Sequence, residues 1–152
     1  MRRHDREITD KSVMEAIIKE AQVCRIALCD GDMPYIVPVC FGYKDDCLYI
    51  HSVAQGKKLD IIKKNNNVCF EIEGKCEIVT AEKACDYSMK YSSVIGTGKA
   101  VLIDDSGEKM KALDIVMGQY SQGSFQYPTE MMKRISVIKI TIEQMTGKKS
   151  GE

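Results

Sequence analysis

The residues best suited to chemistry lie in one short segment, from His51 to Lys58. A strand pattern ends there, a short loop follows, and a helix pattern begins. Lys57 and Lys58 fall in the first turn of that helix, where the helix dipole already places positive charge. A bound anion would relieve this conflict by accepting hydrogen bonds from free backbone N–H groups, the Ser52 hydroxyl and one or both ammonium groups. The chemistry of this segment suits a terminal phosphate, but spacing alone leaves open the alternative that both are solvated surface lysines, as most lysines are.

His51 is the second candidate for chemistry in this segment. A neutral imidazole can bind a ligand or move a proton near neutral pH, but a single strand histidine is also commonly a packed residue. Gly96-Thr97-Gly98-Lys99 does not complete a phosphate-binding loop, because that pattern needs glycine at position 93 and serine or threonine at position 100. No G-x-S-x-G elbow of a hydrolase is present either.

Composition excludes several classes of protein. Lys and Arg number 22 and Asp and Glu number 22, which argues against nucleic-acid and anionic-membrane binding. No apolar run approaches the ~20 residues of a membrane span, and the start of the chain does not resemble a signal peptide. The seven cysteines are odd in number and lack C-x-x-C spacing. We therefore expect a cytoplasmic protein without a metal site, whose cysteines are reduced and mostly small core residues.

The elements that position the segment are mostly short strands. Alternation predicts a meander of three strands, then a hairpin around Gly74, then a long strand and a closing strand. Short strands at hairpin spacing favour an antiparallel barrel. One domain over residues 1–147 and a flexible tail over 148–152 are expected. Helices are predicted at Ser12–Gln22, Lys57–Lys64 and Asp105–Tyr120, and strands at Cys24–Cys29, Tyr35–Tyr43, Cys47–His51, Val68–Glu73, Cys76–Val79, Ser92–Ile103 and Ile135–Ile142.

Individual residues add detail to these elements. Ser12 with Glu15, and Asp105 with Glu108, have the spacing of helix N-terminal caps. Pro38 cannot donate to a sheet ladder and predicts an edge, a bulge or a gap in pairing. Gly96 and Gly98, inside a strand, predict a bend or the close approach of a ligand or another backbone.

Together, an ordered set of short motifs resembles the pyridoxamine-phosphate-oxidase-like flavoproteins, and within them the branch named for 5-nitroimidazole antibiotic resistance. The resemblance extends from about Met1 to Lys148, and no single motif carries it. The motifs are Arg3-x-Asp5-Arg6-Glu7, Pro34-Tyr35-Ile36-Val37-Pro38-Val39-x-Phe41-Gly42-Tyr43, Leu48-Tyr49-Ile50-His51-Ser52, Gly56-Lys57-Lys58-Leu59, Val68-Cys69-Phe70-Glu71, Cys85-Asp86-Tyr87-Ser88-Met89-Lys90-Tyr91, Ser93-Val94-Ile95-Gly96-x-Gly98 and Met145-Thr146-Gly147-Lys148.

The resemblance implies a mainly β fold, an antiparallel split β-barrel with a few flanking helices. It implies a homodimer with FMN at the subunit interface. The strand Ile36–Phe41 would run along the isoalloxazine, His51 and Ser52 would lie beside it, and Lys57 and Lys58 would hold the phosphate. The segment Tyr91–Ile95 would approach from the partner subunit. The cofactor-binding residues implied are Val37, Pro38, Val39, Cys40, Phe41, His51, Ser52, Lys57, Lys58, Tyr91, Ser93 and Val94.

The activity implied is flavin-dependent reduction of small electron-poor molecules such as nitroimidazoles, with NAD(P)H or a protein as electron donor. His51 is the candidate catalytic residue. The alternative is a non-enzymatic protein that stores flavin or binds haem through His51, as some split-barrel relatives do.

Overall fold

The structure is a computed structural model that describes residues 3–151 and leaves out Met1, Arg2 and Glu152. Strands account for 46% of the chain and helices for 28%. The elements are β1 (Glu7–Ile8), α1 (Lys11–Glu20), β2 (Cys24–Asp30), β3 (Met33–Val39), β4 (Gly42–Lys44), β5 (Cys47–Val53), α2 (Lys57–Lys64), β6 (Asn67–Glu73), β7 (Glu77–Val79), β8 (Ser88–Ile103), α3 (Ser106–Gly118), α4 (Thr129–Met132) and β9 (Ile135–Ser150), with 3-10 turns at His4–Arg6 and Ala84–Asp86.

The strands form an antiparallel sheet in the order β3-β2-β6-β8-β9-β5-β4, with β1 beside β9 and β7 beside β8. The predicted antiparallel split barrel is confirmed. Within residues 3–151, β3 pairs only with β2 and β4 pairs only with β5, although the two strands follow one another in the chain. We call the gap between β3 and β4 the open seam.

Inward-facing side chains of the strands fill the barrel. On β2 the alternation of Cys24, Ile26 and Leu28 inward is as predicted, and Phe70 occupies the centre. Helices α1 and α2 add apolar side chains to this core, among them Met14, Ile18, Leu59 and Ile62. Helix α3 packs on the outside of the sheet, where Leu113 joins Ile103 and Val137.

Two predicted pairings are wrong. The strand expected over Tyr35–Tyr43 breaks at Cys40 and Phe41, so no meander forms; β5 pairs with β9 instead. The hairpin around Gly74 is also absent, because β6 pairs with β2 and β8 while β7 pairs with the start of β8. Pairing partners distant in sequence outcompete the nearest neighbours here, and local alternation carries no information about them.

The prediction of a flexible tail over residues 148–152 is wrong for residues 148–150, which belong to β9. Strand β9 continues through Gly147, the last residue of the predicted domain, and Lys148 and Ser150 pair with Ser93 and Tyr91 of β8. A Cβ at Gly147 would lie 2.7 Å from the Cβ of Ile8. Gly147 therefore permits close packing rather than ending the strand. The last residue of the expected tail, Glu152, lies outside the described residues.

Local capping and cysteine burial differ from expectation as well. Asp10, not Ser12, is the N-cap of α1, and its carboxylate accepts hydrogen bonds from the Ser12 backbone N–H at 2.8 Å and the Ser12 hydroxyl at 2.7 Å. The predicted Asp105 cap of α3 is present. All seven cysteines are free, but only Cys24 and Cys47 are buried. The expectation that most are core residues is wrong, because the others lie in loops or on outward strand positions.

The predicted prolines mark the unpaired edge of the sheet, and the predicted glycines allow close packing of its strands. Pro34 and Pro38 both lie on β3. Neither has an N–H to donate, and the edge of β3 at the open seam has no neighbouring strand that would need one. At Gly96 a Cβ would lie 2.4 Å from the Phe70 ring, and at Gly98 it would lie 2.2 Å from the Thr141 carbonyl oxygen. The predicted close approach at these glycines is therefore to the protein's own core and backbone.

No helix between residues 3 and 151 is both long enough and apolar enough to cross a membrane.

Candidate functional site

Helix α2 begins without a side-chain cap. Its N-cap is Gly56, whose φ of 141° and ψ of 160° are open to glycine but strained for other residues. The Gly56 carbonyl accepts from the backbone N–H groups of Leu59 at 2.9 Å and Asp60 at 3.2 Å. The N–H groups of Lys57 and Lys58 point out of the helix start and have no intrahelical acceptor. This end of α2 can therefore receive an anion.

The two lysines of this helix start have different surroundings. The Lys57 ammonium lies 3.1 Å from the Asp30 carboxylate and 5.2 Å from the centre of the Tyr35 ring. These contacts tie α2 to the β2–β3 hairpin. Lys57 is thus already compensated within the chain, which sequence spacing could not reveal.

Lys58 is half-buried, and burial alone lowers the pKa of its ammonium group. No carboxylate of residues 3–151 forms an ion pair with it. Desolvating a cation without a partner is unfavourable, and an anion beside it would reverse that effect. Lys58 is therefore the stronger of the two phosphate candidates.

His51 and Ser52 follow one another on β5 and so point to opposite faces of the strand. His51 is exposed on the outer face, opposite Val137 of β9, whereas Ser52 is half-buried, opposite Ser136. Both lie near the end of β5, just before the loop that leads into α2. A single flat ligand could contact both His51 and Ser52 only if it passed around the end of β5, from one face of the strand to the other.

Strand β3 forms one wall of the open seam. The side chains of Val37 and Val39 are half-buried and pack against the core, and Pro38 points outward. Because Pro34 and Pro38 occupy positions that do not donate to β2, strand alternation also turns the N–H of Ile36 toward the seam. Ile36 was missed as an individual donor, and the spacing Pro34-x-Ile36-x-Pro38 is the signal that could have found it.

Cys40 and Phe41 lie between β3 and β4. Cys40 is exposed, and Phe41 is fully buried in the core. The Phe41 backbone N–H donates to the Tyr120 hydroxyl at 2.9 Å. That N–H is therefore already used within the chain and is not free for a ligand. Tyr120 is a second residue that sequence analysis missed, and no sequence signal connects it with position 41.

The predicted partner-side residues lie elsewhere in the chain. Tyr91, Ser93 and Val94 are on β8, which β2 and β6 separate from β3 in the sheet. Val94 is fully buried in the core, and Ser93 is half-buried. Hydrogen bonding to Lys148 is the main cause that lowers the Tyr91 pKa, and Arg6 adds to it. A single chain does not bring these residues to the seam.

The structure also has a cleft of about 520 Å³ between α3 and the outer face of the sheet, lined among others by Tyr49, Lys139, Glu108 and Ile115. None of the predicted site residues lines it. The cleft is therefore separate from the predicted cofactor site. No group of three or more His, Cys, Asp or Glu side chains in residues 3–151 is placed to hold a metal ion.

Comparison with known proteins identifies the class to which this fold and seam belong. The pattern of the pyridoxamine 5'-phosphate oxidase family matches residues 10–149, and the chain belongs to this family. A solved structure of a proposed 5-nitroimidazole antibiotic resistance protein from Bacteroides thetaiotaomicron is similar to it. The two are 38% identical, with a TM-score of 0.85 over 93% of this chain and 85% of that one.

Other matches are more distant in sequence. The structure of the FAD and haem binding protein from Mycobacterium smegmatis is 17% identical, with a TM-score of 0.86 over 97% of this chain and 74% of that chain. An uncharacterized protein of Rhizobium meliloti, RA0666, is 28% identical over 92 residues. That match spans 60% of this chain and 54% of the relative, so the chain aligns with about half the relative's length.

Proposed function

We propose that this protein binds FMN at the open seam and uses it to reduce small electron-poor molecules. The observation that carries the proposal is the start of α2, where half-buried Lys58 has no acidic partner in residues 3–151 beside an uncapped helix end. A terminal phosphate suits this place, because it accepts several charge-assisted hydrogen bonds at once. The Ser52 hydroxyl, at the end of β5, is a further donor.

The residues of the seam also fit the ring end of a flavin. Strand β3 offers an unpaired backbone edge, with the Ile36 N–H and the carbonyls of Pro34, Ile36 and Pro38 directed away from β2. An isoalloxazine edge carries both donors and acceptors and can pair with such a strand. When bound, the flavin would supply the hydride and electron transfer, and these residues would bind and orient it.

The proposed assembly is a homodimer that completes the site. The outward face of β3, β2, β6 and β8 carries Ile36 and Ile95, whose exposed fractions are 65% and 48%. Ala27 and Cys69 lie between these two residues on the same face. A second copy on this face would cover apolar surface and bring its Tyr91, Ser93 and Val94 segment toward the seam of the first.

The proposed reaction takes electrons from NAD(P)H or a protein donor in the cytoplasm and passes them to an acceptor that enters beside the flavin. The 38% identity to a proposed 5-nitroimidazole antibiotic resistance protein supports a nitro compound as one acceptor. His51, exposed at the end of β5, can move a proton to or from the acceptor.

The first test is the absorbance spectrum of the purified protein and the mass of the ligand released from it. We expect a yellow protein that releases FMN. The FMN-loaded protein is then reduced anaerobically with NADH or NADPH, or with dithionite, and mixed with a nitroimidazole. Reoxidation of the flavin by the nitro compound supports the proposed activity. Failure of dithionite-reduced protein to reoxidise would exclude nitroimidazole reduction.

The exposure of His51 favours a second candidate function, a non-enzymatic protein that stores flavin or binds haem. An exposed imidazole on the outer face can serve as an axial haem ligand without disturbing the core. The similar fold of the FAD and haem binding protein from Mycobacterium smegmatis is consistent with this candidate. Haem added to the protein would give a Soret band shifted from that of free haem, and His51→Ala would remove the shift. In a flavin reductase the same variant changes the pH profile of flavin reoxidation.

A further inference from the structure

Two residues that directly follow α3, Gln119 and Tyr120, join two other segments of the chain, the end of α1 and the junction between β3 and β4. The Gln119 side-chain amide donates to the carbonyls of Ile18 at 2.9 Å and Ala21 at 2.9 Å, at the end of α1. The next residue, Tyr120, contacts the chain just beyond α1 and the junction between β3 and β4. Two adjacent side chains thus connect α1, the open seam and α3.

The Tyr120 hydroxyl makes two hydrogen bonds of opposite sense. It accepts from the Phe41 backbone N–H at 2.9 Å and donates to the Gln22 carbonyl at 2.9 Å. Burial raises the pKa of the phenol to about 12, so it keeps its proton and remains a donor at neutral pH. The hydroxyl therefore links the Phe41 N–H to the Gln22 carbonyl, two backbone groups that lie outside the strands.

Without Tyr120, the Phe41 N–H would have no hydrogen-bond acceptor on a neighbouring strand. Strand β3 ends at Val39 and β4 begins at Gly42, so position 41 belongs to neither ladder. Its side chain is fully buried, and a buried N–H without an acceptor would be unfavourable. The neighbouring Gly42 is equally constrained, because a Cβ there would lie 2.4 Å from the Ile115 carbonyl oxygen of α3.

We infer that Tyr120 is a positioning residue for the cofactor: its hydroxyl fixes the direction in which the backbone leaves β3 and so fixes the edge of the open seam. This inference rests on the proposed function, in which that edge receives the flavin ring. Tyr120 acts through Cys40 and Phe41 and is not itself a ligand of the cofactor. Its place just beyond α3 makes the geometry of the seam depend on a residue that is distant in the sequence.

The test compares Tyr120→Phe with Tyr127→Phe. The first removes only the bridging hydroxyl; the second removes a hydroxyl that donates to Asp114 at 2.9 Å, away from the seam. In flavin-free protein, deuterium exchange of the peptide containing Phe41 should accelerate at least about fivefold in Tyr120→Phe and stay unchanged in Tyr127→Phe. This measurement needs no cofactor and therefore does not depend on the proposed function.

The second readout uses FMN as the probe. Tyr120→Phe should bind FMN about tenfold more weakly and shift the flavin midpoint potential and visible absorption band, while Tyr127→Phe matches the wild type. If wild-type protein binds no flavin, the proposed function is wrong, and with it this role of Tyr120. If wild-type protein binds FMN, but Tyr120→Phe has the same exchange rate, affinity and potential, the inference is overturned and the proposed function stands.

Discussion

At the scale of single residues, the neighbouring Lys57 and Lys58 have different surroundings. Lys57 is compensated by Asp30 and the Tyr35 ring, and Lys58 is half-buried with no acidic partner among residues 3–151. Both could be identified from the sequence as candidates, because both follow a strand end and open a helix. Their difference could not, because it depends on where the β2–β3 hairpin folds back against α2.

This difference predicts unequal effects of substitution on cofactor binding. Lys58→Ala should weaken FMN binding by about tenfold or more, since a charge-assisted hydrogen bond contributes ~1.5–3 kcal/mol. Lys57→Ala should weaken it by less, because Lys57 is shared with Asp30. Titration of apoprotein with FMN, followed by quenching of flavin fluorescence, measures both.

Riboflavin is the control ligand for these variants, because it lacks the phosphate. Its affinity should change far less than that of FMN in Lys58→Ala. An equal loss for both ligands would show that Lys58 does not contact the phosphate.

At the scale of elements, local patterns identify helices and strands well but not their partners. Helix α2 has the predicted bounds, Lys57–Lys64, and the Asp105 cap of α3 is present. The break at Cys40 and Phe41 has no local signal, because both residues suit a strand. It arises because Phe41 enters the core and its N–H bonds to Tyr120, and Tyr120 is distant in sequence.

The seam itself was only partly predictable for the same reason. Pro38 correctly indicates an edge, since it cannot donate to a neighbouring strand. The position of the open edge depends on the pairing of β5 with β9 instead of β3. This pairing joins distant parts of the chain. The sequence therefore contains the residues of the candidate site, and only the topology brings them to one place.

The cap of α3 predicts a stability effect. The Asp105 carboxylate accepts from the Glu108 backbone N–H at 2.8 Å. Asp105→Ala should lower the free energy of unfolding by about 0.5–2 kcal/mol, the usual cost of losing an N-cap. Urea denaturation followed by circular dichroism measures the change.

Asp104→Ala is the matched control, because it removes a neighbouring carboxylate that caps no helix. It should leave the midpoint of the urea transition nearly unchanged. If both variants are equally destabilised, the effect comes from lost charge and not from the cap.

At the scale of the whole molecule, the exposed Ile36 and Ile95 on the outward face of β3, β2, β6 and β8, which also carries the Arg25–Glu71 ion pair, predict self-association. Ile95 is 48% exposed on β8, with Glu71 and Thr146 as its cross-strand neighbours. Burying a charge at this position in the proposed homodimer would be strongly unfavourable. Ile95→Asp should therefore be monomeric by multi-angle light scattering and lose stoichiometric FMN, whereas wild-type protein should be a dimer that holds it.

Val13→Asp provides the comparison, because Val13 is similarly exposed, at 42%, but lies on α1. It should remain dimeric and retain FMN. A wild-type monomer that holds one FMN per chain would exclude the shared site.

The pairing of β5 with β9 also determines the order in which this molecule can fold. Within residues 3–151, the only strand beside β5 apart from the short β4 is β9, which is synthesised after all the other strands of the sheet. Until β9 has emerged from the ribosome, the apolar residues Leu48 and Ile50 have no cross-strand partners on that side. Such distant pairing slows folding and prolongs the exposure of nascent chains to aggregation. The barrel can therefore close only after β9 has been translated, and until then the nascent chain carries an incomplete sheet.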